Sequence, residues 1–568
     1  METNITPAAP RKEVQVTFSD GRTFNGPKGT TVEAFIQAAL PLNGSRPVGA
    51  LIDGRLRELV TVIEGDTTVV PVTMADSDGV RIYRRSLSFL LIAAAAEIFP
   101  GDTITVHHSM PFGGYYCGRN GGRPLRDVEL DRLRNRMREL VEADLPINRV
   151  RVPLDEACQL FRDSGDFEKA DLFSRRRKDY LTLYELNGVR DYFHGFMVPR
   201  TGYLNLFELH HYGDGFILQF PRRHEPDRLQ PFVDEARLAQ VFQDYDEWLT
   251  IVGVPSVAAL NRAINGGRTQ ETVLVAEALH NRQLAHIASE IAQRRPRVRV
   301  VMISGPSSAG KTTFSKRLAI QLIALGIRPV AIPMDNYFVD RENTPRDEKG
   351  DYDFEVIEAL DLTLFRHHMQ ALLNGEVIDS PRYNFHTGKR EQGKRISVED
   401  DQVLLIEGIH GLNPRLTRGI SSEAFYRIFV SAFTQLNLDK HNRVPTTDTR
   451  MLRRIVRDAS RRGYTAVDTI RRWPSVRRGE KDHIFPFQTN ANIFFNSALV
   501  YELSVLKQFA QPLLLQVEPG TPERIEANRL LAFLQWFEPI AADGIPNDSI
   551  LREFVGGSIL ENFEPWQR

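Results

Sequence analysis

The sequence predicts a multidomain α/β protein in which a parallel sheet flanked by helices follows a smaller mixed front region. Three observations carry this expectation. Gly305-Pro306-Ser307-Ser308-Ala309-Gly310-Lys311-Thr312 fills every constrained position of the G-x-x-x-x-G-K-[ST] loop. From 298 onward, apolar strand patterns alternate with helical ones, the order that gives a parallel sheet with ligands at the carboxyl ends of its strands. Near the start, strand, strand, helix and strand signals follow one another closely, with a last strand near Thr67 to Val72.

The bulk numbers narrow the class. With 568 residues and 42% apolar content, the chain can fill several cores, about three or four domains on the usual size range. Its 72 lysines and arginines nearly cancel its 73 aspartates and glutamates, so no global field draws in nucleic acid or anionic membrane. Cys117 and Cys158 are too few for a disulfide framework or a four-cysteine zinc site, which fits a reducing cytoplasm. The first thirteen residues lack an apolar signal core, and the stretch Leu87 to Ala96 is too short to span a bilayer. The expectation is a soluble, cytoplasmic protein without a membrane partner.

In chain order, residues 1–11 read as a disordered tail, and 12–75 as the first module. There Val14 to Phe18 alternates as a strand, Asp20-Gly21 supplies a turn, and Thr30 with Glu33 forms a capping-box pair. Val32, Phe35, Ile36 and Ala39 share one helical face, and Val48 to Ile52 with Asp53-Gly54 repeats the strand-and-turn signal. Over 76–230, the charged run Leu125 to Leu145 with spaced Leu130, Leu133 and Leu140 reads as an exposed helix. His107-His108 and His210-His211 could in principle hold a metal, but neighbours in a strand point to opposite faces, so surface or core roles are favoured.

Residues 231–296 form a helical connector, with patterns over Asp234 to Trp248 and Glu271 to Arg294 broken at Val254-Pro255 and Gly266-Gly267. The sheet domain occupies 297–515, with strands over 298–303, 329–334 and 403–406. Its helix over 311–325 carries Phe314, Leu318, Leu322 and Leu325 on one stripe and stops at Gly326. Residues 516–568 form a C-terminal helical extension.

Chemistry concentrates on the sheet domain. Gly305, Ser307, Ser308, Ala309, Gly310, Lys311, Thr312 and Thr313 form a cradle for the triphosphate of ATP, where backbone N–H groups and the helix dipole meet the anion. Lys311 would bridge the β- and γ-phosphates, and Thr312 would ligate Mg2+. Asp335, at the end of the second strand, is placed to take or orient the proton of an attacking hydroxyl; a cap or turn aspartate is the bland alternative. Glu407, ending the apolar strand, is the second acid and would hold Mg2+ directly or through water. In Leu452 to Gly463, Arg454 and Arg457 share a helix face and Arg462 follows, so guanidinium groups can reach phosphate oxygens or, on the competing reading, RNA or solvent.

Two resemblances follow from these residues. Phe18-Ser19-Asp20-Gly21, Gly29-Thr30-Thr31 and Gly49-Ala50-Leu51-Ile52-Asp53-Gly54 resemble the TGS domain, the β-grasp module of threonyl-tRNA synthetases. Tyr83 to Leu91 and Phe99-Pro100-Gly101 resemble the synthetase's second additional domain, but Arg85 and Phe89 stand where that family carries editing histidines. Residues 298–500 resemble the uridine kinase and phosphoribulokinase family, through the phosphate loop, Asp335-Asn336-Tyr337-Phe338, Tyr383-Asn384-Phe385 with Arg390, Glu407-Gly408-Ile409, and Arg457-Asp458 through Arg462-Gly463. The closing run Asn547 to Ser558 looks like the tail of a bacterial subgroup joining the two.

By this resemblance Asp335 is the base, while Lys311, Arg457 and Arg462 contact phosphate. Thr312 and Glu407 belong to magnesium. Phe338, Tyr383, Phe385, Arg390 and Arg454 line the substrate side, and Glu355 takes the place of a ribose-gripping aspartate. Gly388 stands where the uridine–cytidine kinases place a pyrimidine-reading histidine, and Arg472 where they place a lid glutamine. The resemblance thus implies an ATP- and Mg2+-dependent kinase acting on the 5′-hydroxyl of a nucleoside such as uridine or cytidine. Gly388, Glu355 and Arg472 motivate the alternative of a sugar or sugar phosphate. The front module motivates a third reading, an RNA- or ribosome-associated nucleotide switch, and leaves a nucleic-acid partner and a homo-oligomer open.

Overall fold

The computed structural model describes residues 11–39, 45–120, 123–176, 178–234, 236–347, 350–434 and 436–564. The tail expected over 1–11 lies, apart from Arg11, outside them. The chain forms two compact units. One gathers the described residues up to Asp234 with Asn437–Arg443 and Glu518–Arg529; the other holds Glu235–Leu436, Val444–Val517 and Leu530 onward. The helical connector therefore groups with the second unit, and part of the C-terminal extension with the first.

The first unit opens with a mixed five-stranded sheet. Strand Thr67–Val72 lies at its centre, parallel to Glu13–Phe18 on one side and antiparallel to Gly49–Ile52 on the other; Thr23–Pro27, antiparallel to Glu13–Phe18, and Arg55–Arg57, antiparallel to Gly49–Ile52, form the edges. Helix Val32–Ala39 buries Val32, Phe35, Ile36 and Ala39, the face that the spacing predicts. Its cap differs from the expected Thr30–Glu33 box. Thr31 Oγ1 accepts from Ala34 N–H at 3.4 Å, and the Glu33 carboxylate instead accepts the Tyr203 hydroxyl.

A 22-residue helix, Ser77–Ile98, then runs beside a four-stranded and a three-stranded antiparallel sheet. Phe89 on this helix is fully buried, and Arg85 donates to Phe196 O at 2.5 Å. Both side chains are committed to packing. The helix expected to be exposed, Asp127–Glu142, buries Leu130, Leu133, Met137 and Leu140 on one face and leaves its charges on the other. His108 is buried, His210 bonds Gln219 at 2.9 Å and His211 pairs with Asp127 at 2.9 Å. No metal-holding cluster of three or more His, Cys, Asp or Glu occurs among the described residues. No described helix is long and apolar enough to cross a membrane.

The second unit is built on a five-stranded parallel sheet in the order Arg328–Pro333, Gln402–Glu407, Val300–Ser304, Phe425–Ser431, Ile493–Asn496. The central strand Val300–Ser304 is buried along its whole length, as a parallel strand covered on both faces must be. Connector helices Ala236–Val252, Val257–Asn265 and Thr269–Gln293 precede it. A two-stranded ribbon, Ile378–Asn384 with Lys389–Ile396, stands apart from the main sheet and pairs Tyr383 with Arg390. This α/β architecture agrees with the fold class expected from the sequence.

Candidate active site

The phosphate loop joins Val300–Ser304 to helix Lys311–Ala324. Only glycine fits at 305, because a Cβ there would lie 1.9 Å from Val430 O. Gly310 takes φ +84° and begins the helix, whose first-turn N–H groups have no intrahelical acceptor. Ser308, also left-handed at φ +58°, keeps a buried hydroxyl with no hydrogen-bond partner. Ala309 is buried beneath the loop.

Lys311 turns back under the loop, with Nζ 3.3 Å from Pro306 O and 3.9 Å from Glu407 Oε1. Thr312 Oγ1 donates to Glu407 Oε2 at 3.4 Å. Glu407 ends its strand in register with Ile303 on one side and Pro333 on the other. Asp335 follows Pro333 by two residues, in the short 3-10 turn Met334–Tyr337. Parallel register therefore brings the loop, Glu407 and Asp335 to one rim. Burial pushes the Glu407 carboxyl up to about 7; Lys311 opposes that rise, and Asp335 and Glu553 add to it. Asp335 opens onto solvent along the rim but is otherwise ringed by protein; this desolvation raises its carboxyl above the usual range, against Lys311 and Arg462.

The arginine stretch forms helix Thr446–Arg461, with Arg462 at its end. Arg450 and Arg453 are fully buried behind the loop. Arg450 forms a two-pronged pair with Glu480 and donates to Ser307 O at 3.1 Å. Arg453 Nε donates to Glu502 at 2.7 Å, and its Nη1 to Ser308 O at 3.4 Å. Arg454 reaches the loop directly, donating to Ser307 Oγ at 2.9 Å. Arg457 and Arg462, expected on phosphate, lie 2.9 and 3.7 Å from Asp458, with Arg454 sharing the same carboxylate at 3.2 Å. Arg454, Arg457 and Arg462 thus share one buried counterion, while Arg450 and Arg453 each have their own.

On the far side of Asp335, Phe338, Tyr383 and Phe385 form a ring cluster with centroids 5.0 to 6.3 Å apart. Phe338 and Tyr383 are buried, while Phe385 is 58% exposed and offers a face to a ligand. Arg390, expected to touch substrate, is tied to Asp361 at 2.9 Å. Glu355 abuts Gly479, where a Cβ would lie 2.3 Å from its own. Burial and the nearby Glu480 push Glu355 up to about 7, and its Oε2 is buried without a partner. Arg472 lies over the Tyr464 ring at 4.5 Å.

The sequence reading missed four residues here: Arg341, Arg450, Arg453 and Glu553. Arg450 and Arg453 share the three- and four-residue spacing of Arg454 and Arg457 and could have been assigned to the back of that helix. Arg341 fills the space beside Gly388, its guanidinium 2.8 Å from where a Cβ would stand, and donates to Phe385 O at 2.5 Å. Arg341 opens a 3-10 turn three residues after Phe338, whereas Glu553 comes from the short helix Arg552–Val555, which no local spacing links to the site.

Residues 300–503 match the Phosphoribulokinase / Uridine kinase family model. That match supports a P-loop phosphotransferase, a class that uses ATP and usually Mg2+. The N-terminal region is similar to threonine–tRNA ligases. The ligase of Burkholderia orbicola (strain MC0-3) is 32% identical over 197 residues, 34% of this chain and 31% of the ligase. That of Methylococcus capsulatus (strain Bath) is 33% identical over 197 residues, 34% of this chain and 30% of the ligase. The chain thus spans about a third of the length of the curated relatives it matches. Among solved structures, a possible uridine kinase from Bacillus stearothermophilus aligns at 16% identity and TM-score 0.27, covering 37% of this chain and 96% of that one. A proposed fructose transport system kinase from Silicibacter sp. TM1040 aligns at 20% identity and TM-score 0.27, covering 37% of this chain and 98% of that one.

Proposed function

We propose that the second unit transfers the γ-phosphoryl group of ATP to the 5′-hydroxyl of a nucleoside. The observation that carries this reading is the convergence of Lys311, Glu407 and Asp335 on one rim of the sheet, with the rings of Phe338, Tyr383 and Phe385 beyond Asp335. The orphaned Ser308 hydroxyl and the first-turn amides suit an anion in the loop. Thr312 and Glu407 are oxygen donors, as a hard divalent cation requires, and Mg2+ commonly completes its shell with water and phosphate oxygens. Bound there, the cation would offset charge on the phosphates.

The chain's own contribution is positional and electrostatic. Lys311 presents an ammonium to the transferring group, and Asp335 orients the acceptor hydroxyl and takes its proton. A recessed carboxyl with a raised pKa is a better proton acceptor than a solvated one, provided the pH keeps it ionised. Exposed Phe385 supplies a face on which a base can stack, and buried Tyr383 packs against it at 5.0 Å. The test is ATP consumption over a panel of nucleosides and sugars, with Lys311→Ala as control. Turnover of no acceptor by the wild-type protein, with ATP still bound, would overturn the kinase reading.

One observation favours a second acceptor class. The Arg341 guanidinium occupies the flank of Gly388, so the pocket edge carries a fixed cation. A cation there suits a sugar phosphate, and competition binding separates the two: a free nucleoside displaces bound acceptor in the first case only. The likeness of the front region to threonine–tRNA ligases supports a nucleic-acid partner, which salt-dependent tRNA binding would reveal.

A further inference from the structure

The carboxylate of Glu553 sits in the phosphate cradle. Its Oε2 accepts from the Thr313 backbone N–H at 3.1 Å and from Thr313 Oγ1 at 2.9 Å. Thr313 is the third residue of the helix that Gly310 begins, so its N–H is one of the first-turn donors left for an anion by helix geometry. A carboxylate on that amide satisfies it as a phosphate oxygen would.

The segment carrying Glu553 is firmly built. Ile550, Leu551 and Phe554 are fully buried, Ile550 lies against Gly310, and the Arg453 guanidinium stands 5.0 Å over the Phe554 ring. Arg552 Nη2 donates to Ala542 O at 2.9 Å and Ile545 O at 2.7 Å, closing the segment on itself. Farther on, Lys316, from the same helix as Thr313, donates to Leu560 O at 2.6 Å and Glu561 O at 2.9 Å. One face of the phosphate-loop helix is therefore claimed by the chain's own C-terminal segment, and its anion site by that segment's acid.

We propose that Glu553 is an internal phosphate mimic: the segment Asn547–Glu561 holds the cradle closed against nucleotide until its carboxylate is displaced. This rests on the phosphate-loop reading above. A phosphate chain and the Glu553 carboxylate cannot share the Thr313 donors, and within a few ångströms the like charges repel strongly.

The test uses the full chain and two probes, Mg-ATP and inorganic triphosphate, each titrated calorimetrically into wild type and Glu553→Gln. Glutamine keeps the shape and an acceptor oxygen but not the charge. Both probes should bind the variant at least tenfold more tightly, because the relief lies at the phosphate chain that they share. In wild type, hydrogen exchange of amides 547–556 should accelerate when ATP is added. Equal or weaker binding to Glu553→Gln, or protection of that segment by ATP, would overturn the proposal and leave the phosphate-loop reading standing. Binding of neither probe to either protein would overturn both.

Discussion

Glu407→Gln should stabilise the ligand-free protein at high pH and do nothing at low pH. The wild-type carboxyl is pushed from an ordinary 4.5 up to about 7 by burial and by Asp335 and Glu553, in spite of Lys311. A carboxyl raised in this direction holds its proton more tightly in the folded chain than in the unfolded one. Its contribution is therefore intact below 4.5, is lost as pH rises to about 7, and is flat above that. At about 1.36 kcal/mol per pH unit, the loss is on the order of 3 kcal/mol. Glutamine imitates the protonated form at every pH. The variant should match wild type near pH 4.5 and exceed it by up to about 3 kcal/mol at pH 8, roughly 5 °C in melting temperature for a unit this large. Thermal melts from pH 4.5 to 8.5 read this directly. A variant that melts lower at pH 8, or by the same margin throughout, would refute the argument. Calorimetry in buffers of different ionisation enthalpy gives a second reading: near pH 7 wild type should release a fraction of a proton on binding Mg-ATP, and Glu407→Gln should not.

Other substitutions separate roles. Lys311→Ala should reduce turnover at least a hundredfold with an unchanged melting temperature, as steady-state assay and melts would show, since its task is charge placement. Asp335→Asn should keep ATP binding within a few-fold but lower kcat by about 10²–10⁴ in single-turnover phosphoryl transfer. Arg453→Met should cost about 3–5 kcal/mol, because it strands Glu502 in the core; Arg453→Met with Glu502→Leu should recover much of that in a denaturant melt. Phe385→Ala should raise KM for a nucleoside about tenfold and leave that for a simple sugar unchanged.

The fold was legible where local chemistry fixes it. A loop that allows only glycine at 305, a continuous apolar strand before it and a helical stripe after it leave one arrangement, and the parallel register then brings Glu407 and Asp335 to the same rim. The front module was legible for the same reason, apart from a cap displaced by one residue because Glu33 is used by Tyr203. What spacing does not show is which partner a charged residue takes. Arg390, set on the substrate side by resemblance, pairs with Asp361, the cap of helix Leu362–Leu373, a partner that no spacing indicates. Glu553 enters from a segment far along the chain, so no pattern within a window could have found it, and Arg341, three residues past Phe338, is tied to the site by Gly388 and Phe385, nearly fifty residues on.

The arginine helix shows what that distinction means for catalysis. Asp458 lies four residues after Arg454, next to Arg457 and four before Arg462, so one nearly inaccessible carboxylate can serve three guanidinium groups. It leaves Arg454 free to hold Ser307 of the loop while Arg457 and Arg462 wait as a pair. The net charge of those four residues is positive, and a phosphate chain arriving at the loop carries more negative charge than Asp458 does. Arginines with a single shared counterion can turn toward phosphate without leaving an unpaired acid behind, because Arg454 stays. Spacing placed Arg454 and Arg457 on one face with Arg462 following; in the structure Arg454 holds Ser307 of the loop while Arg457 and Arg462 share Asp458.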